Sequence, residues 1–174
     1  MESIDLASAI LRATLGIVLI AHGWNHAFGG GKLPGTAGWF ASIGLRPGML
    51  HALAATGTEL GAGVLLLLGL LTPLAAAGAV GTMAVALVTA HLRNGFFIFR
   101  PGQGYEYVLV LILTACALGV LGGGAYSLDA VIGIEDGLSG LTGLAVTAGA
   151  GVLGAAALLA VFWRPNRPAD TPAE

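Results

Sequence analysis

Five ionisable side chains lie inside or at the ends of long apolar stretches of this sequence. They are Arg12, His22, Glu59, His91 and Glu106. A charge in such surroundings is costly, so it is usually paired or functional. Glu59, near the middle of its stretch, is predicted to hold a proton or a ligand. The architectural alternative is that Glu59 belongs to a buried ion pair.

Arg12 is the predicted ionic partner of Glu59. At the α-helical rise of about 1.5 Å per residue, the depths of the two residues in their segments differ by only several ångströms. A paired charge is the least costly buried charge. The sequence therefore predicts an Arg12–Glu59 ion pair that fixes the register of two helices.

The histidines form a second pattern, at segment ends predicted to share one face of a helical bundle. These residues are His22, His26, His51 and His91, joined by Trp24, Asn25, Asn94, Arg100, Tyr105 and Glu106. A polar mouth with aromatic walls suits a small amphipathic ligand such as a quinone headgroup. His or Tyr would donate to its carbonyls, and a carboxylate would relay the proton. The predicted ligand-binding residues are His22, His26, Trp24, Asn94 and Tyr105.

Metal or haem binding is the rival interpretation of these histidines. His22 and His26 are spaced i and i+4, which places two imidazoles on one helical face. Neither CxxCH nor HExxH occurs, and the single cysteine, Cys116, excludes an internal disulfide or a CxxC pair. No metal site and no covalently bound cofactor is predicted. Purely structural histidines are a third alternative, and all three stay open.

The elements that position these residues are predicted to be membrane-spanning helices. The chain of 174 residues is 56% hydrophobic and only 9% charged, against about 25% charged residues in soluble proteins. The apolar segments approach the roughly 20 residues that a helix needs to cross a bilayer. They cover residues 6–27, 50–71, 74–93, 105–122 and 141–163.

The basic residues are distributed unevenly between the two predicted sides. With five crossings, one side receives Lys32, Arg46, Arg93, Arg100, Arg164 and Arg167, and the other holds Glu2, Asp5, Asp129, Glu135 and Asp136. Positive charge favours the cytoplasmic side. We therefore expect a multi-pass membrane protein with its N-terminus outside and its C-terminus in the cytoplasm.

Two further patterns leave alternatives open. Rows of small residues, including Gly57 and Gly61 and the row from Gly143 to Ala155, suit either packing within the chain or a homodimer interface. The stretch from Thr36 to Met49 carries apolar residues at helical spacing and either lies flat at the membrane surface or closes over the bundle.

Short motifs in a fixed order give the chain a resemblance to the DoxX family over about residues 8–132. They are Arg12-x-x-x-Gly16, His22-Gly23, Trp39-Phe40, Ser42-Ile43-Gly44-Leu45, Glu59-Leu60-Gly61, Gly69-Leu70-Leu71-Thr72, His91-x-x-Asn94-Gly95-Phe96-Phe97, Tyr105-Glu106 and Tyr126-Ser127-Leu128-Asp129. The resemblance implies a four-helix transmembrane core over residues 1–132. Residues 133–163 then add a loop and a fifth transmembrane helix, and residues 164–174 are predicted to form a disordered cytoplasmic tail.

The resemblance also implies a redox role, because the family is related to the membrane subunit of thiosulfate:quinone oxidoreductase. It singles out Arg12, Glu59, His91, Tyr105 and Glu106, of which Glu59, His91 and Glu106 are the predicted catalytic residues. The expected function is quinone-linked redox or thiol and oxidative-stress chemistry at a bacterial cytoplasmic membrane, with a sulfur compound as donor. The alternative is a non-enzymatic scaffold that recruits a soluble redox enzyme at the cytoplasmic face, or a small transporter. Whether the protein is an enzyme stays open.

Overall fold

The chain folds into a bundle of apolar helices, which a computed structural model describes for residues 2–165. Four helical segments are long and apolar enough to cross a membrane, and a fifth is apolar but shorter. The protein is therefore an all-α membrane protein, as predicted. The predicted tail lies outside the described residues, except for Arg164 and Pro165.

The apolar helices agree closely with the predicted segments. Three of the long ones are α1 (Glu2–Phe28), α3 (Gly48–Leu68) and α4 (Thr72–Ala86, continuing through a π-helical turn, Leu87–His91, to Asn94), and the fourth is the last segment, Gly140–Phe162. The shorter apolar helix is α5 (Glu106–Leu121). The shorter α2 (Lys32–Ser42) and α6 (Leu128–Val131) lie between them. The last segment joins α7 (Gly140–Leu144), a π-helical turn (Ala145–Ala150) and α8 (Gly151–Phe162).

Helices α1, α3, α4 and α5 form a four-helix bundle, and α8 packs on the outside against α4. The core between them is built from apolar side chains, among them Leu15, Leu19, Leu66, Val80 and Leu118. The division between a core ending at residue 132 and an added segment stays a prediction.

Glycine allows α1 and α3 to approach closely. A Cβ added at Gly16 would lie 2.9 Å from the carbonyl oxygen of Gly63, and one at Gly63 would lie 2.6 Å from Ile20 Cγ1. Small residues of this kind let helix backbones pack at short range in membranes. This contact sets the relative register of the helices that carry His26 and Glu59.

The row of small residues in the last segment packs within the chain. Thr147 donates to the Pro73 carbonyl at 3.0 Å, and a Cβ at Gly151 would lie 2.6 Å from Val80 Cβ. In contrast, Gly57 and Gly61 face open space. The bundle thus uses one of the rows for its own packing.

The C-terminal end of α8 is tied to the loop between α2 and α3. Arg164 N donates to Gly44 O at 2.8 Å, and Trp163 Nε1 donates to Ile43 O at 3.0 Å. Arg164 therefore lies at the same end of the bundle as the loop that holds Arg46, as a five-crossing topology requires. Helix α2 packs on α3 and buries Phe40, so this segment closes over the bundle while Trp39 stays exposed.

Candidate functional site

A cavity of about 620 Å³ lies within and beside the bundle. Most of its wall is apolar, and its polar side chains gather toward one end of α1, α3 and α4. All four histidines of the sequence line it, as do Glu59 and Tyr107. Sites for small organic ligands combine these features, a mostly apolar cavity of about 300–1,000 Å³ and a few convergent polar groups.

Glu59 and His26 form the ionic contact of this cavity. Glu59 is only 4% exposed, and its Oε2 lies 3.0 Å from Nδ1 of His26. The two atoms are close, but their alignment does not make a hydrogen bond, and neither has another partner among residues 2–165. The pair is thus able to accept or donate a further hydrogen bond from the cavity.

Aromatic rings surround the histidines at this end. The Phe40 ring lies 6.2 Å from His26 and 6.4 Å from His51 between ring centroids. His51 in turn contacts Phe162 of α8 edge-on at 5.1 Å. His51 is 4% exposed, and its Nε2 has no hydrogen-bond partner among the described residues. Helices α1, α2, α3 and α8 all contribute to this wall.

His91 is held in place by the loop that follows α4. Its Nδ1 lies 2.9 Å from the carbonyl oxygen of Gln103. A carbonyl oxygen only accepts, so Nδ1 must carry the proton and Nε2 is left as an acceptor when the ring is neutral. His91 ends the π-helical turn of α4, and such turns occur frequently at functional sites.

The cavity includes only some of the predicted site residues. Glu59, His22, His26 and His91 line it, and Trp24, Asn94, Tyr105 and Glu106 do not. Trp24 is 60% exposed and borders a separate shallow groove. Asn94 donates to the Ala90 and Gly102 carbonyls, so it stabilises the loop.

Tyr105 and Glu106 also serve that loop. The Tyr105 ring contacts Phe96 edge-on at 5.5 Å. Glu106 Oε2 accepts from the amide of Ile98 at 3.2 Å. The polar residue of α5 that faces the cavity is Tyr107, whose ring lies 6.4 Å from that of His22. Tyr107 was missed because tyrosines two residues apart point to different helix faces, and the sequence alone does not say which face turns inward.

The predicted Arg12–Glu59 ion pair is wrong for the described structure. Arg12 is buried and donates to Leu66 O at 3.0 Å and to Tyr126 O at 2.7 Å. Leu66 lies about two helical turns beyond Glu59 on α3, so the guanidinium extends toward the opposite end of the bundle. Equal depth along the segments could not predict this, because it says nothing about the direction of a long side chain.

Asp129 is the buried carboxylate that sequence reasoning assigned only to an outer loop. It has no exposed surface, and its two oxygens accept from Leu71 N at 2.7 Å and from Thr72 N at 2.9 Å. These amides begin α4, so Asp129 caps that helix from a distant part of the chain. The Thr72 side chain does not cap α4, because its hydroxyl has no hydrogen-bond partner among the described residues.

Among residues 2–165 no three His, Cys, Asp or Glu side chains come together closely enough to hold a metal ion.

The fold and the cavity define a polytopic helical membrane protein with a ligand-sized internal site. In a comparison with protein families, the model of the DoxX family matches residues 7–92. Over this region the chain is similar to the DoxX family. The match covers α1 to α4, which supply His22, His26, His51, Glu59 and His91. No curated protein and no solved structure matches the chain with significant similarity.

Proposed function

We propose that this protein is a quinone-linked redox protein of the membrane, and that the cavity end lined by histidines and Glu59 binds the quinone headgroup. The observation that supports the proposal is that one large, mostly apolar cavity has a cluster of hydrogen-bonding side chains at one end. A quinone has a matching shape, with two carbonyl oxygens on an apolar body.

The unpaired polar atoms of the cavity fit such a ligand. Nε2 of His51 and the His26–Glu59 pair are buried without well-aligned partners. A buried polar atom that lacks a partner costs about 1–3 kcal/mol. A ligand that supplies the missing hydrogen bonds would offset this cost, whereas a purely apolar occupant would not.

The reaction we propose balances with a sulfur compound as donor. Two thiols lose two electrons and two protons and form a disulfide bond, and the quinone takes up both to become a quinol. With thiosulfate, two donor ions join as tetrathionate and the protons come from water. Glu59 and His26 hold a proton beside the headgroup, and His91 accepts a hydrogen bond from a quinol hydroxyl through Nε2.

The sulfur donor must reach the cavity from the side of the membrane that the histidine end of the bundle faces. The histidine end is also the end that holds the basic residues Arg46 and Arg164. We place this end in the cytoplasm, with the N-terminus outside, because positive charge favours the cytoplasmic side. A reporter active only in the cytoplasm should then work when fused after α8 and fail when fused before α1.

The proposal is tested by quinone reduction in lipid nanodiscs that contain the purified protein, with thiosulfate or a small thiol as donor. The Glu59→Gln variant keeps the side-chain volume but removes the titratable carboxyl. We expect turnover in the parent protein and a loss of about 100-fold or more in Glu59→Gln, since proton transfer by a positioned group is worth about 10²–10⁴-fold.

Glu135→Gln is the matched control, because Glu135 follows α6 and lies outside the cavity. This variant should keep the turnover of the parent. Equal turnover in the parent and in Glu59→Gln would remove the proton-carrying role of Glu59. Turnover no higher than that of protein-free lipid, with either donor and without bound quinone, would contradict the redox function. The alternative of a scaffold for a soluble redox enzyme would then be the one to test.

A further inference from the structure

One part of the cavity lies outside the cluster of histidines. It forms a groove between α3 and α8, which flank α4 and make almost no direct backbone contact. We call it the α3–α8 groove. Its lining residues are Ala54, Thr58, Leu74, Ala77, Gly78, Gly81, Ala150, Gly154 and Leu158.

The α3–α8 groove is deep because its floor and one wall consist of small residues. Gly78 and Gly81 of α4 form the floor, and Gly154 of α8 faces open space, with no atom within 4 Å of an added Cβ. From Leu74 to Ala86 the floor extends about 18 Å along α4 at the helical rise. The groove is therefore long, narrow and apolar.

The groove is continuous with the proposed headgroup site. His51, which is 4% exposed and has an unpartnered Nε2, lines the same cavity on α3 one helical turn before Ala54 and Ala55. At that end, Phe40 and Leu45 pack with Leu158 and Trp163 and close the space between α2 and α8. A ligand bound at His51 can therefore extend along α4, toward Leu74, within the same cavity.

We infer that the α3–α8 groove holds the isoprenoid tail of a long-chain membrane quinone whose headgroup lies against His51, His26 and Glu59. This inference rests on the proposed function and adds the substrate class. Lipid tails are as apolar as the groove, so the groove contributes little attraction. The groove provides space, because a quinone whose headgroup is bound in the cavity must also accommodate its tail.

The test is binding of two quinones, ubiquinone-1 and ubiquinone-10, to the full chain in lipid nanodiscs. Quenching of tryptophan fluorescence reports binding, since Trp39 of α2 lines the same cavity. Gly154→Leu and Thr58→Leu each fill the groove, from α8 and from α3. Gly57→Leu is the matched control, because Gly57 faces open space on α3 outside the cavity.

We expect either groove-filling variant to weaken binding of ubiquinone-10 by about tenfold or more, as overpacking a filled site does. Both should change the affinity for ubiquinone-1 by less than about twofold, and Gly57→Leu should leave both unchanged. Suppose that the parent binds both quinones. If the groove-filling variants then keep the affinity for both, or lose affinity for both by the same factor, the tail does not lie in the groove, while the headgroup site stands. If the parent binds neither quinone, the proposed function fails together with this inference. Either variant alone suffices if the other does not fold.

Discussion

Replacing Asp129 tests how the bundle is held together at the end opposite the histidines. Both carboxylate oxygens accept from the first amides of α4, at 2.7 and 2.9 Å, and the side chain is fully buried. Hydrogen bonds to a charged group contribute about 1.5–3 kcal/mol each, and loss of a helix cap costs about 0.5–2 kcal/mol. The two amides share one carboxylate, so these contributions overlap. We expect Asp129→Ala to lower the free energy of unfolding by about 3 kcal/mol.

The Asp129→Asn variant refines this prediction. The asparagine keeps one acceptor oxygen but turns its NH₂ group toward the second amide, so about half of the loss should remain. Unfolding by sodium dodecyl sulfate in mixed micelles, followed by circular dichroism, measures both values. Asp136→Asn is the control, because Asp136 is exposed at the start of a short 3-10 helix, Asp136–Leu138. A loss of less than about 1 kcal/mol in Asp129→Ala would refute the view that Asp129 caps α4.

Two further predictions concern the packing of the same bundle. Arg12→Lys should lower the free energy of unfolding by about 1.5–3 kcal/mol in the same assay. The guanidinium reaches Leu66 O and Tyr126 O through two different nitrogens, and a lysine has only one. An unchanged free energy of unfolding would show that these bonds contribute nothing. Gly16→Ala should destabilise by about 1–3 kcal/mol because its Cβ would lie 2.9 Å from the Gly63 carbonyl. Gly57→Ala, in open space, should be neutral, and equal effects of the two alanines would contradict the close approach of α1 and α3.

The helices could be predicted from sequence because their lengths and boundaries depend on local chemistry. Apolar runs of sufficient length are visible directly in the sequence. The structure ends α3 at Leu68, before the predicted end at residue 71, because Gly69 takes a positive φ of 64° that glycine adopts without strain. The sequence does not determine what the last segment packs against. Its small residues suit any close neighbour, and only the folded chain shows that Thr147 and Gly151 meet α4.

The candidate site could be predicted in composition but not in detail. The histidines converge because the predicted topology places the ends of α1, α3 and α4 on one side. Side-chain direction is a finer property, set by the rotation of each helix about its axis. For this reason Tyr107 takes the place expected for Tyr105, and Glu59 contacts His26 one turn beyond His22 instead of Arg12. Asp129 is a long-range cap, so no local motif could reveal it.

Photolabelling with an azido-quinone tests the central claim most directly, because it locates the quinone on the chain. The purified protein in lipid nanodiscs is illuminated with the probe, digested and analysed by mass spectrometry. We predict that fragment spectra assign the label to His22, His26, His51 or Glu59 at the level of single residues, and that excess unlabelled quinone suppresses this labelling. Labelling confined to the outward groove around Trp24 and Leu67, or labelling that excess quinone does not suppress, would contradict a quinone site in the cavity.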